Sequence, residues 1–208
     1  LHALLFPDDE QAWVCTGERG VLHYQHDQWQ RERRLPEQAC SSLALDAHGQ
    51  LLLGYADGRL RRMGATRIET FDAGHGLSVG PITALLDHQD LLLVAGEAGL
   101  AVRLGNGRFV QVSTDMAGVM EGITGMVADA KGYLWLNGSR GLVRLGSDQL
   151  RRALRSGQPV TPRLFDAVDG MPGIALQSGP ITTTALANDG LLWLATNQGL
   201  AWLDTTRS

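Results

Sequence analysis

Residues 181–204 read Ile181-TTTALAND-Gly190-LLWLATNQ-Gly199-LAWLD, and Ile123-TGMVADAK-Gly132-YLWLNGSR-Gly141-LVRL repeats that pattern without a gap. Moving outward, Cys40-SSLALDAH-Gly49-QLLLGYAD-Gly58-RLRR keeps the spacing. Ile82-TALLDHQ-Asp90-LLLVAGEA-Gly99-LAVRL is one residue shorter, and Leu1-HALLFPDD-Glu10-QAWVCTGER-Gly20-VLHY is one longer. Five copies thus begin near residues 1, 40, 82, 123 and 181, at steps of about 40 residues apart from a stretched last one. A fixed period of this size determines the fold before any single element does.

Within each copy a β-type segment precedes a polar turn ending at or near glycine. An apolar strand, a second glycine turn and a third strand follow. A fourth strand is traceable in Thr66-RIETFD, Arg108-FVQV and Arg163-LFDAV. Four short strands per 40 residues is the blade period of a β-propeller, in which each thin blade buries its faces against its neighbours. The expectation is therefore all-β: one propeller region over residues 1–208, built of four-stranded antiparallel blades, with about five blades present. Gly49, Gly132 and Gly190 are expected at positive φ in the first hairpin. Cys15, Gly54, Ala95, Asn137 and Ala195 are small residues at the centre of strand two, as closely packed blades require, and Cys15 reads most simply as a buried small hydrophobe. Trp13, Trp135 and Trp193 share one repeat position and read as core between blades, whereas Trp29 and Trp202 do not recur. The insertion at 146–160 contains Asp148-QLRRALRS, an N-cap-type residue followed by helix formers and stopped by Gly157 and Pro159, which predicts a short surface helix.

The chain has 208 residues, 44% of them apolar, enough for a substantial core. Its formal net charge is −4 and its pI about 5.8, so no basic field exists to hold nucleic acid or anionic lipid. No apolar run approaches the roughly 18 residues of a membrane helix, and no charged-then-apolar leader opens the sequence. Two cysteines, Cys15 and Cys40, permit one bridge and leave the redox compartment open.

The repeat resembles the two-component regulator propeller repeat, D-x-x-G-x-L-W-[IVL]-x-T-x-x-G-L-x-R. Asp129, Gly132, Leu134, Trp135, Leu136, Gly141, Leu142 and Arg144 match in one copy. Gly190, Leu192, Trp193, Leu194, Thr196, Gly199 and Leu200 match in the last. Gly138 stands in place of the threonine in the first, and Ala187 and Trp202 in place of the aspartate and arginine in the second. Phe71-DAGHGLS and Phe165-DAVDGMP also resemble that family's link between blades. The resemblance implies a non-catalytic, periplasmic sensor region of a membrane-anchored histidine kinase, hybrid sensor or diguanylate cyclase. The region would bind a small molecule, carbohydrate or protein. Missing blades, or a second chain in a homodimer, would cover the open end of a partial ring.

The remaining motifs favour structure over chemistry. His23-x-x-His26 lies in or beside a strand without a third ligand nearby. Asp8, Asp46 and Asp87 recur at one turn, which argues for turn chemistry. Gly105-x-Gly107 precedes no helix, and with no phosphate or dinucleotide loop elsewhere, no cofactor is expected. No serine sits in a nucleophile elbow. Arg31–Arg34, Arg59–Arg62 and Arg151–Arg155 read as solvated faces. Propeller geometry places any site at the channel mouth. Glu18, Arg19, Asp57, Glu97, Arg140, Asn197 and Gln198 come there from the turns between strands two and three. His75, Met120, Glu121, Asp169 and Gln177 come from the links between blades. Arg19, Asp57, His75, Glu97, Arg140 and Gln198 are the candidate ligand contacts, the arginines suiting a carboxylate or sugar acid. The rival reading is a propeller lyase or hydrolase, which would need His75 and Glu97 to act together; a protein-binding scaffold is the third.

Overall fold

The computed structural model describes residues 1–178 and 182–207; Ile181, which opens the fifth copy, lies outside them. Each copy folds into its own antiparallel sheet. Sheet one comprises β1 (Ala3–Asp8), β2 (Gln11–Thr16), β3 (Gly20–Gln25) and β4 (Gln28–Arg31). Sheet two has β5 (Ser42–Leu45), β6 (Leu51–Gly54), β7 (Leu60–Met63) and β8 (Ile68–Phe71). Sheet three has β9 (Ile82–His88), β10 (Leu91–Gly96), β11 (Gly99–Arg103) and β12 (Phe109–Gln111). Sheet four runs β13 (Gly125–Ala128), β14 (Tyr133–Gly138), β15 (Gly141–Gly146) and β16 (Arg163–Phe165). Sheet five has three strands among the described residues: β17 (Thr184–Leu186), β18 (Leu191–Thr196) and β19 (Gly199–Asp204). This is the expected β-propeller, its sheets stacked in chain order with the first strands β1, β5, β9, β13 and β17 side by side. The fourth strand of sheet one escaped the sequence reading because Gln28–Arg31 is exposed throughout and carries no alternation.

The turns have the chemistry the repeat demands. Gly49, Gly132 and Gly190 adopt φ of 72°, 82° and 86°, a region that Cβ-bearing residues disfavour. Three residues before Gly49 and Gly132, Asp46 and Asp129 each accept two backbone N–H groups through Oδ1 and so close the hairpin. Asp129, 5% exposed, also accepts Trp135 Nε1–H through Oδ2 at 2.8 Å.

The core lies between the sheets. Leu52 and Leu60 of sheet two meet Val94 and Ala101 of sheet three. Leu93, Leu100 and Val102 then meet Leu134, Leu136 and Val143 of sheet four. Trp135 and Leu142 meet Leu192 and Leu194 of sheet five. A hydrogen bond accompanies this packing near the axis. Ser41 Oγ donates to Ile82 C=O of the next first strand, Thr83 Oγ1 donates to Ile123 C=O, and Thr124 Oγ1 bonds Thr183 Oγ1.

Three expectations need correction. Cys15 is bonded to Cys40, both buried, with Cα atoms 5.8 Å apart, so it is a covalent link from β2 to the strap before sheet two as well as a core residue. Trp193 is not core: it is 42% exposed although its register equivalent Trp135 is fully buried, because its face points away from sheet four and no further sheet packs on it among the described residues. The helix of the insertion, α1 (Ser147–Ser156), is capped at Gly146 rather than Asp148, which falls in its first turn. Its Leu150 is buried against the core while its other face stays in solvent.

Candidate functional site

Because every sheet meanders from inside to outside, the turns between strands two and three and the links between sheets share one end of the propeller. Their backbones interlock there: Glu97 N–H donates to Pro81 C=O, Gly122 N–H to Glu97 C=O, and Ser139 N–H to Glu121 C=O. Side chains on this frame are held at their roots and free at their tips. Between the first strands of the sheets the channel holds an open pocket of about 210 Å³. Ser41, Thr83 and Thr124 form one level of its wall, and Leu43, Leu85 and Met126 the next. The first level follows from the Ile-Thr start of the repeat, but those hydroxyls are committed to neighbouring sheets and leave little free polarity in the channel.

The structure separates the candidate residues into three groups. Asp57, Asn197, Asp169 and Gln177 are occupied by the scaffold. The Arg59 guanidinium donates to the Asp57 carboxylate and holds it below the usual carboxylate range. Asn197 Oδ1 accepts Ile174 N–H, Asp169 closes a capping box with Asp166, and the Gln177 amide donates to the carbonyls of Gly122 and Ala175. His75 and Met120 lie elsewhere. His75 sits in a short turn, Ala73–His75, and bonds Asp72 at 2.9 Å with its ring edge-on to Phe71 of the outermost strand. That places it on the perimeter, whereas Glu97 stands beside Pro81 and Gly122 near the axis, and no contact joins the two. Met120 is 4% exposed and belongs to the core between sheets three and four.

The third group is exposed at the mouth: Glu18, Arg19, Glu97, Glu121, Arg140 and Gln198. The structure brings Glu121 and Arg140 together around Gly118. A Cβ placed on that glycine would lie 3.6 Å from Glu121 Oε2 and 3.8 Å from Arg140 Nη1. Arg140 Nη1 makes one 3.3 Å bond to Ala117 C=O, and the two opposite charges do not pair directly. They present a carboxylate and a guanidinium to solvent beside Gly118, an arrangement that suits a ligand offering both hydroxyls and an anionic group.

His23 and His26 do not form a ligand pair. His23 stacks on Trp13 with centroids 3.8 Å apart, and burial lowers its pKa, while His26 lies in the following turn at φ 53°. Among the described residues no three His, Cys, Asp or Glu side chains are grouped as a metal-ligand set.

The chain matches no family model and no curated protein sequence. Among solved structures, it overlays a Bacteroides thetaiotaomicron extracellular domain described as part of a hybrid two-component system. The TM-score is 0.73 at 19% identity, over 98% of this chain and 26% of that one. It overlays a catalytically inactive virginiamycin B lyase from Staphylococcus aureus with quinupristin at TM-score 0.70 and 12% identity, over 99% of this chain and 67% of the lyase. The WD40 β-propeller domain of Doa1 gives 0.63 at 12% identity, over 99% of this chain and 64% of that one. The chain shares their fold. At these identities the likeness extends to architecture alone, and the propeller spans about a quarter of the length of the Bacteroides chain.

Proposed function

We propose that this propeller is an extracytoplasmic sensory module that binds a polar, anionic ligand such as a sugar acid at its loop-bearing end and performs no catalysis itself. The observation that carries the reading is the mouth: Arg19, Glu97, Arg140 and Gln198 project from the equivalent turn of four sheets and Glu121 from the link beside one of them, so the same repeat position carries cationic, anionic and neutral polar tips. A frame held constant under variable tips is what selective recognition by a rigid scaffold requires. Two further observations support it. The likeness to extracellular domains of hybrid two-component systems covers 97% or more of this chain, and a buried disulfide belongs to an oxidising compartment. In a full-length protein the module would lie outside the membrane, and the event would pass to a kinase or cyclase by changing dimer geometry.

Isothermal titration with a panel of uronic-acid oligosaccharides tests the site, using wild type, Arg140→Ala and Glu121→Gln. Binding by the wild type, reduced at least tenfold in Arg140→Ala at unchanged melting temperature, is expected. Equal binding by all three proteins would move the site away from the mouth. Turnover of any panel member would overturn the non-catalytic reading in favour of a lyase or hydrolase.

A further inference from the structure

At the end opposite the mouth, where the turns between strands one and two gather, an open cleft of about 600 Å³ lies between Gln89, the turn 130–133 and the start of α1. The helix has ten residues, long enough for its dipole to favour an anion at that end, and the N–H groups of its first turn have no intrahelical acceptor. Ser147 N–H is met by Gly132 C=O at 2.9 Å. The next two, on Asp148 and Gln149, receive no side-chain acceptor, because the N-cap is Gly146 and contributes none. Space for an acceptor is present. A Cβ built on Gly146, at φ −69° and ψ 132°, meets nothing nearer than Gln149 Cβ at 3.7 Å and lies 3.9 Å from Gln149 N.

The rest of the cleft carries complementary chemistry. Ser147 lines it and is 2% exposed, and its buried Oγ has no hydrogen-bond partner, a deficit that a ligand oxygen would remove. Arg152 lines it from the second turn of α1. It is exposed, joins no hydrogen bond or ion pair among the described residues, and long side chains on a helix lean toward its N-terminus. Lys131 adds a second positive charge from the facing turn, its Nζ bonded to the carbonyls of Thr205 and Thr206. The one carboxylate of the lining, Asp148, faces Arg151, which also holds Gln89 C=O, and does not cap the helix.

We propose that this cleft binds a phosphate group, esterified or free. The N–H groups of Asp148 and Gln149 and the Ser147 hydroxyl serve as neutral donors, and Arg152 and Lys131 as the charges. Two cations and a helix N-terminus favour a doubly charged group, and donors from several sides suit a tetrahedral one over a planar carboxylate. The volume exceeds that of the bare ion and leaves room for an attached sugar. The site is separate from the loop-bearing end and independent of the sensory reading.

Isothermal titration of the whole chain with inorganic phosphate and with a hexose 6-phosphate, against chloride at equal ionic strength, tests the site. Saturable binding is expected, weakened about tenfold in Arg152→Ala. Gly146→Asp should abolish it while holding or raising the melting temperature, since the new carboxylate caps the helix end that the ligand would occupy. Ser147→Ala should weaken binding without lowering the melting temperature, because its hydroxyl has no partner to lose. Tighter binding of the ester assigns the occupant to a phosphorylated metabolite and equal binding to the free ion, and either result supports the site. No saturable binding up to millimolar ligand overturns the proposal, as do equal heats from chloride or unchanged affinity in Gly146→Asp. Loss of phosphate binding in Arg140→Ala, with Arg152→Ala unaffected, would place the phosphate at the mouth and overturn it as well.

Discussion

Reducing the Cys15–Cys40 bond should loosen the first sheet selectively. The bond spans 25 positions, joining β2 to the strap before sheet two. The chain-entropy relation for a loop of that length gives about 3.5 kcal/mol at 25 °C, a cost the opened state bears only while the bond is intact. Both cysteines are buried, so reduction leaves two thiols in place of the bridge without opening a cavity, and the loop term is nearly isolated. The effect should be local, because stacked repeats contact only their neighbours and sheet one has just one. Hydrogen exchange followed by mass spectrometry, with and without a phosphine reductant, is the appropriate assay. Amides of residues 16–39 should exchange roughly 400-fold faster after reduction, which is 3.5 kcal/mol at 1.36 per decade. Those of sheets three and four should change by less than threefold. A uniform acceleration across all sheets would refute the local reading, and no acceleration within 16–39 would refute the loop argument itself.

Three further perturbations test the frame. Asp129→Ala removes the acceptor for three donors, Lys131 N–H, Tyr133 N–H and Trp135 Nε1–H, in a nearly closed site. It should cost about 3 kcal/mol in urea unfolding, with Asp129→Asn losing clearly less. Gly54→Ala would place a Cβ 2.4 Å from Ile82 Cγ2 and 2.2 Å from Ser41's neighbour Ser42 Oγ, forcing sheets two and three apart. A loss of about 2 kcal/mol is expected by the same measurement, against little change for Gly49→Ala beyond its φ strain of about 1 kcal/mol. For His23 the folded state disfavours the proton chiefly through burial, with Glu32 opposing that shift and His26 reinforcing it. Its folded pKa therefore lies below the unfolded value, the unfolded chain binds more protons, and the stability contribution is complete above that unfolded value near 6.5 and fades as pH falls through the folded one. Melting temperature should drop between pH 7.5 and 5.5 more steeply in wild type than in His23→Phe; equal slopes would remove His23 from the account.

Fold and site were legible to different depths. The period, the glycine turns and the turn aspartates were visible because each is a local requirement of backbone geometry, repeated in several copies. The fates of Cys15 and Trp193 were not, although both repeat positions were recognised. Whether a thiol meets a partner from the next strap, or an indole meets a neighbouring sheet, depends on residues outside the copy. The mouth was harder still. The repeat located its turns but could not show that Arg59 occupies Asp57, that a short turn carries His75 to the perimeter, or that Glu121 and Arg140 converge over Gly118 from two different elements. Only that last pairing offered a sequence cue, the glycine at 118 that keeps the space between them open.

One repeat position shows how the arc is held at its ends. The centre of strand two faces the next sheet in the first four copies, and the two middle interfaces use it for close approach: Gly54 against Ile82, and the fully buried Ala95. The outer interfaces use it for linkage instead. Cys15 bonds covalently to Cys40, and buried Asn137 donates to Thr183 C=O and Ala195 C=O across the boundary to sheet five. Sheets one and five each pack apolar surface on one side only, so their share of burial energy is roughly half that of an inner sheet. A covalent bond at one end and a buried amide at the other lie where that deficit falls. Lys131 Nζ, bonded to the carbonyls of Thr205 and Thr206, adds a second anchor on sheet five. The repeat thus keeps its geometry along the chain while the chemistry at this one position changes with the support each interface receives from its neighbours.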